Sequence, residues 1–320
     1  MTGITPRDPR DPRRSRVLGA ALAIVALPVL LVAIEAVSFH VRNRSNGSIV
    51  SSGETRNYVL HVPASYDRKK PAPLVISLHG AGLWGAAQRE ISQWDAVADR
   101  EGFIVVYPSG RKGSGPRVWH AVIEDTGLTR DVTFISDLID KLSAEYNIDP
   151  ARIYANGVSN GGGMSFVLSC TLSNRIAAVG MVGAAHLLPW SSCTDTRPVP
   201  MIAFHGTADP LAPYTGGKTW IAARAFPHIP MWTANWARRN RCAPEPVDSD
   251  FAANVTRRTY NGCADHASVE LYTIRGGGHD WPGGAPLPQW LSGPVSRGID
   301  ATSVMWAFFR EHPLPSKGVP

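Results

Sequence analysis

The chain has 320 residues, 44% hydrophobic and 18% charged, with 32 Lys and Arg against 26 Asp and Glu for a formal charge of +6. That balance excludes a disordered or fibrous chain and supplies apolar residues for one large core. Residues 1–44 hold seven arginines and three acidic residues, so about four of the six positive charges lie there and about two on all the rest. A field that would draw a nucleic acid to the main domain is therefore not expected.

In chain order, residues 1–16 form a basic segment expected to stay in the cytoplasm. Val17–Ile34 is an apolar run of 18 residues, and residues 17–39 read as a transmembrane anchor or a signal peptide. The run is long for a signal, which favours an uncleaved anchor and hence a membrane partner. Ala36-Val37-Ser38 would suit cleavage if it is a signal, and either reading exports the rest of the chain. Residues 40–53 are expected to be a linker, with the polar stretch from Asn43 to Gly53 as a stalk. Residues 54–315 read as one catalytic domain.

Within that domain Arg56–Val62 alternates as an antiparallel strand does, and Leu74–Leu78 is apolar enough to be covered on both faces. A helix is expected over Gln88–Glu101, a strand over Phe103–Tyr107, and an amphipathic helix over Asp131–Tyr146. Further strands are expected at Arg152–Ala155, Ala178–Val182, Met201–Phe204 and Val269–Ile274. Helices are expected from Gly161 and over Ala301–Phe309. Strands alternating with helices predict an α/β fold, a mostly parallel sheet covered on both faces.

Cys170, Cys193, Cys242 and Cys263 fit an oxidising compartment, and four cysteines allow three pairings that spacing does not resolve. Pairing in sequence order would close loops of about 20 residues and contribute roughly 3 kcal/mol each. No C-x-x-C or His/Cys spacing suggests zinc, so no metal is expected. No phosphate loop or dinucleotide fingerprint occurs, and no cofactor is expected.

Gly157-Val158-Ser159-Asn160-Gly161 matches G-x-S-x-G between a predicted strand and a predicted helix, the context that makes the pentapeptide a nucleophile turn. A serine hydroxyl needs a base and an orienting carboxylate, which in this arrangement come in the order Ser, acid, His. Asp209 lies in the exit loop of strand Met201–Phe204, and His279 in Gly276-Gly277-Gly278-His279 just past strand Val269–Ile274. Asp195, Asp248 and Asp250 also lie between Ser159 and His279, but none comes after so clear a strand. The expected catalytic residues are therefore Ser159, Asp209 and His279. Backbone N–H groups for an oxyanion are expected from Asn160 and from Ala81 or Gly82, in the small-residue loop after Leu78. His79 is expected to brace that loop. Of Trp84, Trp94, Trp119 and Trp281, the pair Trp119 and Trp281 is expected in the substrate cleft.

These residues resemble the polyhydroxybutyrate depolymerase and feruloyl esterase family of α/β-hydrolases, which includes acetyl xylan esterases. The resemblance spans nearly all of Glu54 to His312. It rests on LHGAG at 78–82, GFIVVYPSG at 102–110, the region of Trp119, IDPARIYANGVSNGGGM at 148–164, HGTADPLAPYTGG at 205–217, WARRNRC at 236–242 and GGGHDWPGG at 276–284. It implies the α/β-hydrolase fold, the triad Ser159, Asp209 and His279, disulfides between neighbouring cysteines, and hydrolysis of small or oligomeric esters. Many members carry a cysteine near the first loop or beside the tryptophan, where this chain has Ala81 and Val118. The added binding domain of solid-polyester depolymerases is absent from the pattern, so feruloyl, acetyl or similar soluble esters are the leading expectation. A short-chain polyhydroxyalkanoate depolymerase is the second, and a silent binding protein on the same scaffold the third.

Overall fold

Ala72–Leu78 (β3) and Ile104–Pro108 (β4) are buried at every position, as expected of aliphatic runs with no polar side to present to water. The computed structural model describes residues 44–112, 115–121, 128–184, 186–195, 197–219 and 224–315. The segments expected to be a cytoplasmic tail and an anchor or signal lie outside the described residues. Among those described, no helix is long and apolar enough to cross a membrane.

The remaining elements are β1 (Gly47–Ser51), β2 (Glu54–His61), α1 (Gly85–Ser92), α2 (Trp94–Glu101), α3 (Leu128–Glu145), β5 (Ile148–Val158), α4 (Asn160–Thr171), β6 (Ala178–Val182), β7 (Met201–Gly206), α5 (Ile229–Arg239), β8 (Val247–Ala252), β9 (Val255–Tyr260), β10 (Val269–Ile274), α6 (Gln289–Ser292) and α7 (Ala301–Glu311). They build one ten-stranded sheet in the order β1-β2-β4-β3-β5-β6-β7-β10-β9-β8. The six central strands, from β4 to β10, run parallel, and an antiparallel pair closes each edge. Alternate residues of one strand feed two cores, as the period of two requires. Leu74, Ile76 and Leu78 pack with α3, α4 and α5 on one face, while Val75 packs with α1, α2 and α7 on the other.

Two sequence expectations are corrected here. The stalk is not free chain over its whole length: Gly47–Ser51 is β1, paired with β2 from Gly47↔Tyr58 to Ser51↔Glu54. Ser52 and Gly53 turn with positive φ, 50° and 77°, so a polar segment becomes an edge strand because a tight hairpin holds it against its neighbour. The helix expected over Gln88–Glu101 is two helices, broken at Gln93 with φ 54°. The break lets Trp94 sink to zero exposure and donate its Nε1–H to Asn156 Oδ1 at 3.1 Å.

The chain leaves β3 in one direction to reach β4 and returns on the other side to β5. The crevice outside the carboxyl ends of β3 and β5 is therefore the place where an open α/β sheet binds ligands.

Candidate active site

Ser159 lies in that crevice, between β5 and α4, with φ 54° and ψ −120°. Left-handed backbone at a residue with a side chain costs about 1–3 kcal/mol and persists only where its surroundings enforce it. The flanking glycines do so by close approach. A Cβ on Gly157 would come within 2.4 Å of the Gly161 carbonyl carbon, and one on Gly161 within 2.2 Å of Leu78 O. Ser159 N–H donates to Val182 O at 2.9 Å, tying the turn to β6.

The loop after β3 is drawn against this turn. A Cβ on Gly80 would stand 3.4 Å from Ser159 Cβ. His79 braces the loop from inside: Nδ1–H donates to Gly80 O at 2.7 Å, and Nε2 accepts Gly110 N–H at 2.9 Å. Trp119 Nε1–H donates to His79 O at 3.1 Å, and the Trp119 backbone is clamped by Asn160, whose Oδ1 accepts its N–H at 2.7 Å and whose Nδ2–H donates to its carbonyl at 2.9 Å. Of the two loop residues expected to offer an N–H, Gly82 is already engaged, donating to Arg117 O at 2.7 Å. Ala81 N–H has no acceptor among the described residues. Asn160 N–H lies in the first turn of α4, where no intrahelical acceptor exists.

Asp209 and His279 meet two strands away. His279 Nδ1–H donates to Asp209 Oδ2 at 2.7 Å, and the carboxylate side chain is fully buried. Its other oxygen, Oδ1, accepts the N–H groups of Leu211 and Ala212, both at 2.8 Å. The two loops are stitched together: Thr207 N–H donates to Ile274 O and Ala208 N–H to Gly277 O, both at 2.9 Å. A Cβ on Gly206 would meet Gly277 O at 2.1 Å, so the glycines on each side are there for contact between the loops. His279 N–H donates to Ser292 O at 2.5 Å, and Asp280 holds Ser296 through its N–H at 2.7 Å and hydroxyl at 3.0 Å. Asp195, Asp248 and Asp250 are engaged elsewhere or exposed; Asp195 accepts Ser173 N–H, and Asp248 pairs with Arg258.

Gly183, at the end of β6, links the serine to this pair. A Cβ on it would come within 3.1 Å of His279 Nδ1 and 3.3 Å of Asp209 Oδ2, while the preceding residue holds Ser159 N–H. Ser159 and the Asp–His pair thus flank one residue. Among the described residues neither Ser159 Oγ nor His279 Nε2 has a hydrogen-bond partner, and such bonds tighten in the substrate complex.

The tryptophans expected in a cleft are corrected. Trp119 and Trp281 are 2% and 1% exposed. Trp119 is pinned beneath the loop by the bonds above, and Trp281 donates Nε1–H to Thr302 Oγ1 at 2.8 Å within the second core. Both rings meet the need to satisfy a buried indole N–H, and neither offers a face to a ligand. The cysteines pair as Cys170–Cys193 and Cys242–Cys263. The first anchors the end of α4 to the loop after β6, and the second joins the segments after α5 and β9. No cluster of metal-ligating side chains occurs among the described residues.

Several residues of the site went unread in the sequence. The Asn160 clamp joins positions 41 apart, and His205, whose Nε2–H donates to Ala212 O at 2.7 Å, stands 3.5 Å from Asp209 Oδ2. Local spacing carries no signal for the Asn160–Trp119 clamp.

Burial disfavours the charged form of three histidines. It pushes His79 from the ordinary 6.5 down to about 4, and His186 and His205 are lowered by the same cause. A lowered histidine binds its proton in the unfolded chain first, so native stability falls as pH drops below 6.5. Between pH 6.5 and 5 His79 alone accounts for a loss of about 2 kcal/mol. Asp280 and Glu270, raised by burial, act in the opposite sense but closer to the carboxylate range. Urea midpoints measured at both pH values should fall on acidification; unchanged midpoints would mean that these imidazoles take up protons in the fold.

The parallel sheet with a strained serine turn after β5, an acid after β7 and a histidine after β10 defines the α/β-hydrolase fold. A solved acetyl xylan esterase from Aspergillus awamori superposes with a TM-score of 0.58, covering 83% of this chain and 98% of that one at 15% identity, which bears on fold alone. Residues 56–199 match the family model described as esterase PHB depolymerase. The chain is similar to feruloyl esterase B of Piromyces equi, 32% identical over 237 residues, and to feruloyl esterase C of Emericella nidulans, 28% identical over 261. These alignments cover 70% and 79% of this chain. The chain spans 42% of the first relative's length and 83% of the second's. The family recognised from the motifs is the one these comparisons return.

Proposed function

We propose that this chain is an exported serine carboxylic ester hydrolase that uses Ser159, His279 and Asp209 through an acyl-enzyme. The observation that carries it is the buried Asp209–His279 hydrogen bond beside the strained Ser159 turn. Asp209 fixes the imidazole with the proton on Nδ1, which leaves Nε2 as the base. Nε2 takes the Ser159 proton as Oγ attacks the ester carbonyl. The tetrahedral oxyanion accepts hydrogen bonds from Asn160 N–H and Ala81 N–H, reinforced by the positive end of α4. Collapse expels the alcohol, which receives its proton from the imidazolium. Water then repeats the sequence on the acyl-enzyme and releases the acid.

Soluble feruloyl, acetyl or related esters are the proposed substrates, in keeping with the relatives' names. The two disulfides favour a compartment outside the cytoplasm, reached through residues 17–39 as signal or anchor. A silent binding protein would not need the backbone strain at Ser159, which costs stability without helping the core.

Purified protein should hydrolyse methyl ferulate and aryl acetates faster than hydroxybutyrate oligomers. The reverse ranking would move the assignment to a short-chain polyhydroxyalkanoate depolymerase, and a folded protein inert toward all three would contradict ester hydrolysis.

A further inference from the structure

A polar cavity of about 350 Å³ opens beside the loop that braces the proposed oxyanion site. The charged residues of its wall are Glu54, Arg56, Arg111, Lys112 and Arg117. Arg56 is paired with Asp131 at 2.8 Å, and Arg111 with Glu54 at 2.9 Å. Lys112 and Arg117 have no carboxylate partner among the described residues. Arg117 spends one N–H on Gly110 O at 2.7 Å, and the rest of its fork donates to no other described residue. Burial and the neighbouring Arg56 hold it below the ordinary guanidinium value. This concentration of charge stands out on a domain that carries only about +2 in all.

The cavity is joined to the reaction centre through the backbone. Gly110, in its wall, donates its N–H to His79, and Arg117 O holds Gly82. Trp119, two residues beyond Arg117, is clamped to Asn160, the neighbour of the serine.

We infer that this cavity is a carboxylate-binding subsite, which makes an ester bearing a carboxylate near the scissile bond a preferred substrate. The inference rests on the proposed esterase reading. A guanidinium fork matches a planar carboxylate in two parallel hydrogen bonds, and Lys112 adds a point charge at the mouth.

The test compares an O-acetylated glucuronate with its primary amide, which has the same shape without the charge. At low salt kcat/KM for the acid is expected to exceed that for the amide by about ten-fold or more, through KM. The preference should collapse at high salt and fall to within about two-fold in Arg117→Gln and in Lys112→Gln. Equal rates for the two compounds in the wild type, or a preference that survives Arg117→Gln, would overturn it. Titrating folded Ser159→Ala protein with free glucuronate and with inorganic phosphate separates this from the hydrolysis itself. Glucuronate binding lost in Arg117→Gln supports the subsite even where the protein hydrolyses neither ester, and tighter binding of phosphate than of glucuronate would overturn the carboxylate assignment.

Discussion

Alanine at position 159 is expected to lower kcat by a factor on the order of 10⁵ or more while leaving the fold intact. The loss should be that large because the hydroxyl oxygen is the atom that forms the new bond, and among the described residues no other hydroxyl or thiol hydrogen-bonds to the His279 imidazole to replace it. The folded state should survive because Ser159 Oγ makes no hydrogen bond among the described residues, and the strain at φ 54° is a backbone property that alanine inherits unchanged. Glycine there should also be inactive, but more stable than alanine by up to about 1–3 kcal/mol, since it alone occupies that conformation without penalty. Activity assays paired with thermal melts check both. An alanine variant within ten-fold of wild type would remove the nucleophile from the account.

Asp209→Asn is expected to cost about 10⁴ in kcat with a smaller effect on KM. The reason lies in the partition of hydrogen bonds around the carboxylate. Oδ1 accepts two backbone N–H groups, from Leu211 and Ala212, so an asparagine would keep its carbonyl oxygen there. Its amide nitrogen would then face His279 Nδ1, where Oδ2 now accepts at 2.7 Å. A donor in that place selects the tautomer with the proton on Nε2, and the base points its occupied nitrogen at the serine. His205, 3.5 Å from Oδ2, cannot restore the pairing, because its own Nε2–H is committed to Ala212 O. A variant with near-normal kcat would mean that another carboxylate orients the base.

The parallel sheet was legible because β3, β4, β6 and β7 are aliphatic runs too apolar for any position but the interior. The serine turn was legible because both glycines of its pentapeptide are required by carbonyls lying within 2.4 Å of an added Cβ. The hairpin β8–β9 was not, since β8 is exposed over nearly its whole length and carries no apolar signature. Its place comes from pairing with β9, in bonds between backbones that no side chain announces. Helix α5 was missed for a related reason: Pro230 opens it, and its buried face is made of Trp232 and Trp236, which in sequence read as scattered aromatics. Trp119 and Trp281 were misplaced because a tryptophan looks alike in sequence whether it walls a cleft or fills a core. What decides is an acceptor for the indole N–H, and each has one far away in the chain, His79 O and Thr302 Oγ1.

A fluorophosphonate probe, combined with peptide mapping, reads the reactive oxygen itself. The expected result is one covalent adduct on Ser159, formed rapidly in the wild type and slowed at least about a thousand-fold in His279→Ala protein of unchanged melting temperature. A folded protein that stays unlabelled, or that labels as fast without the imidazole, would contradict the account.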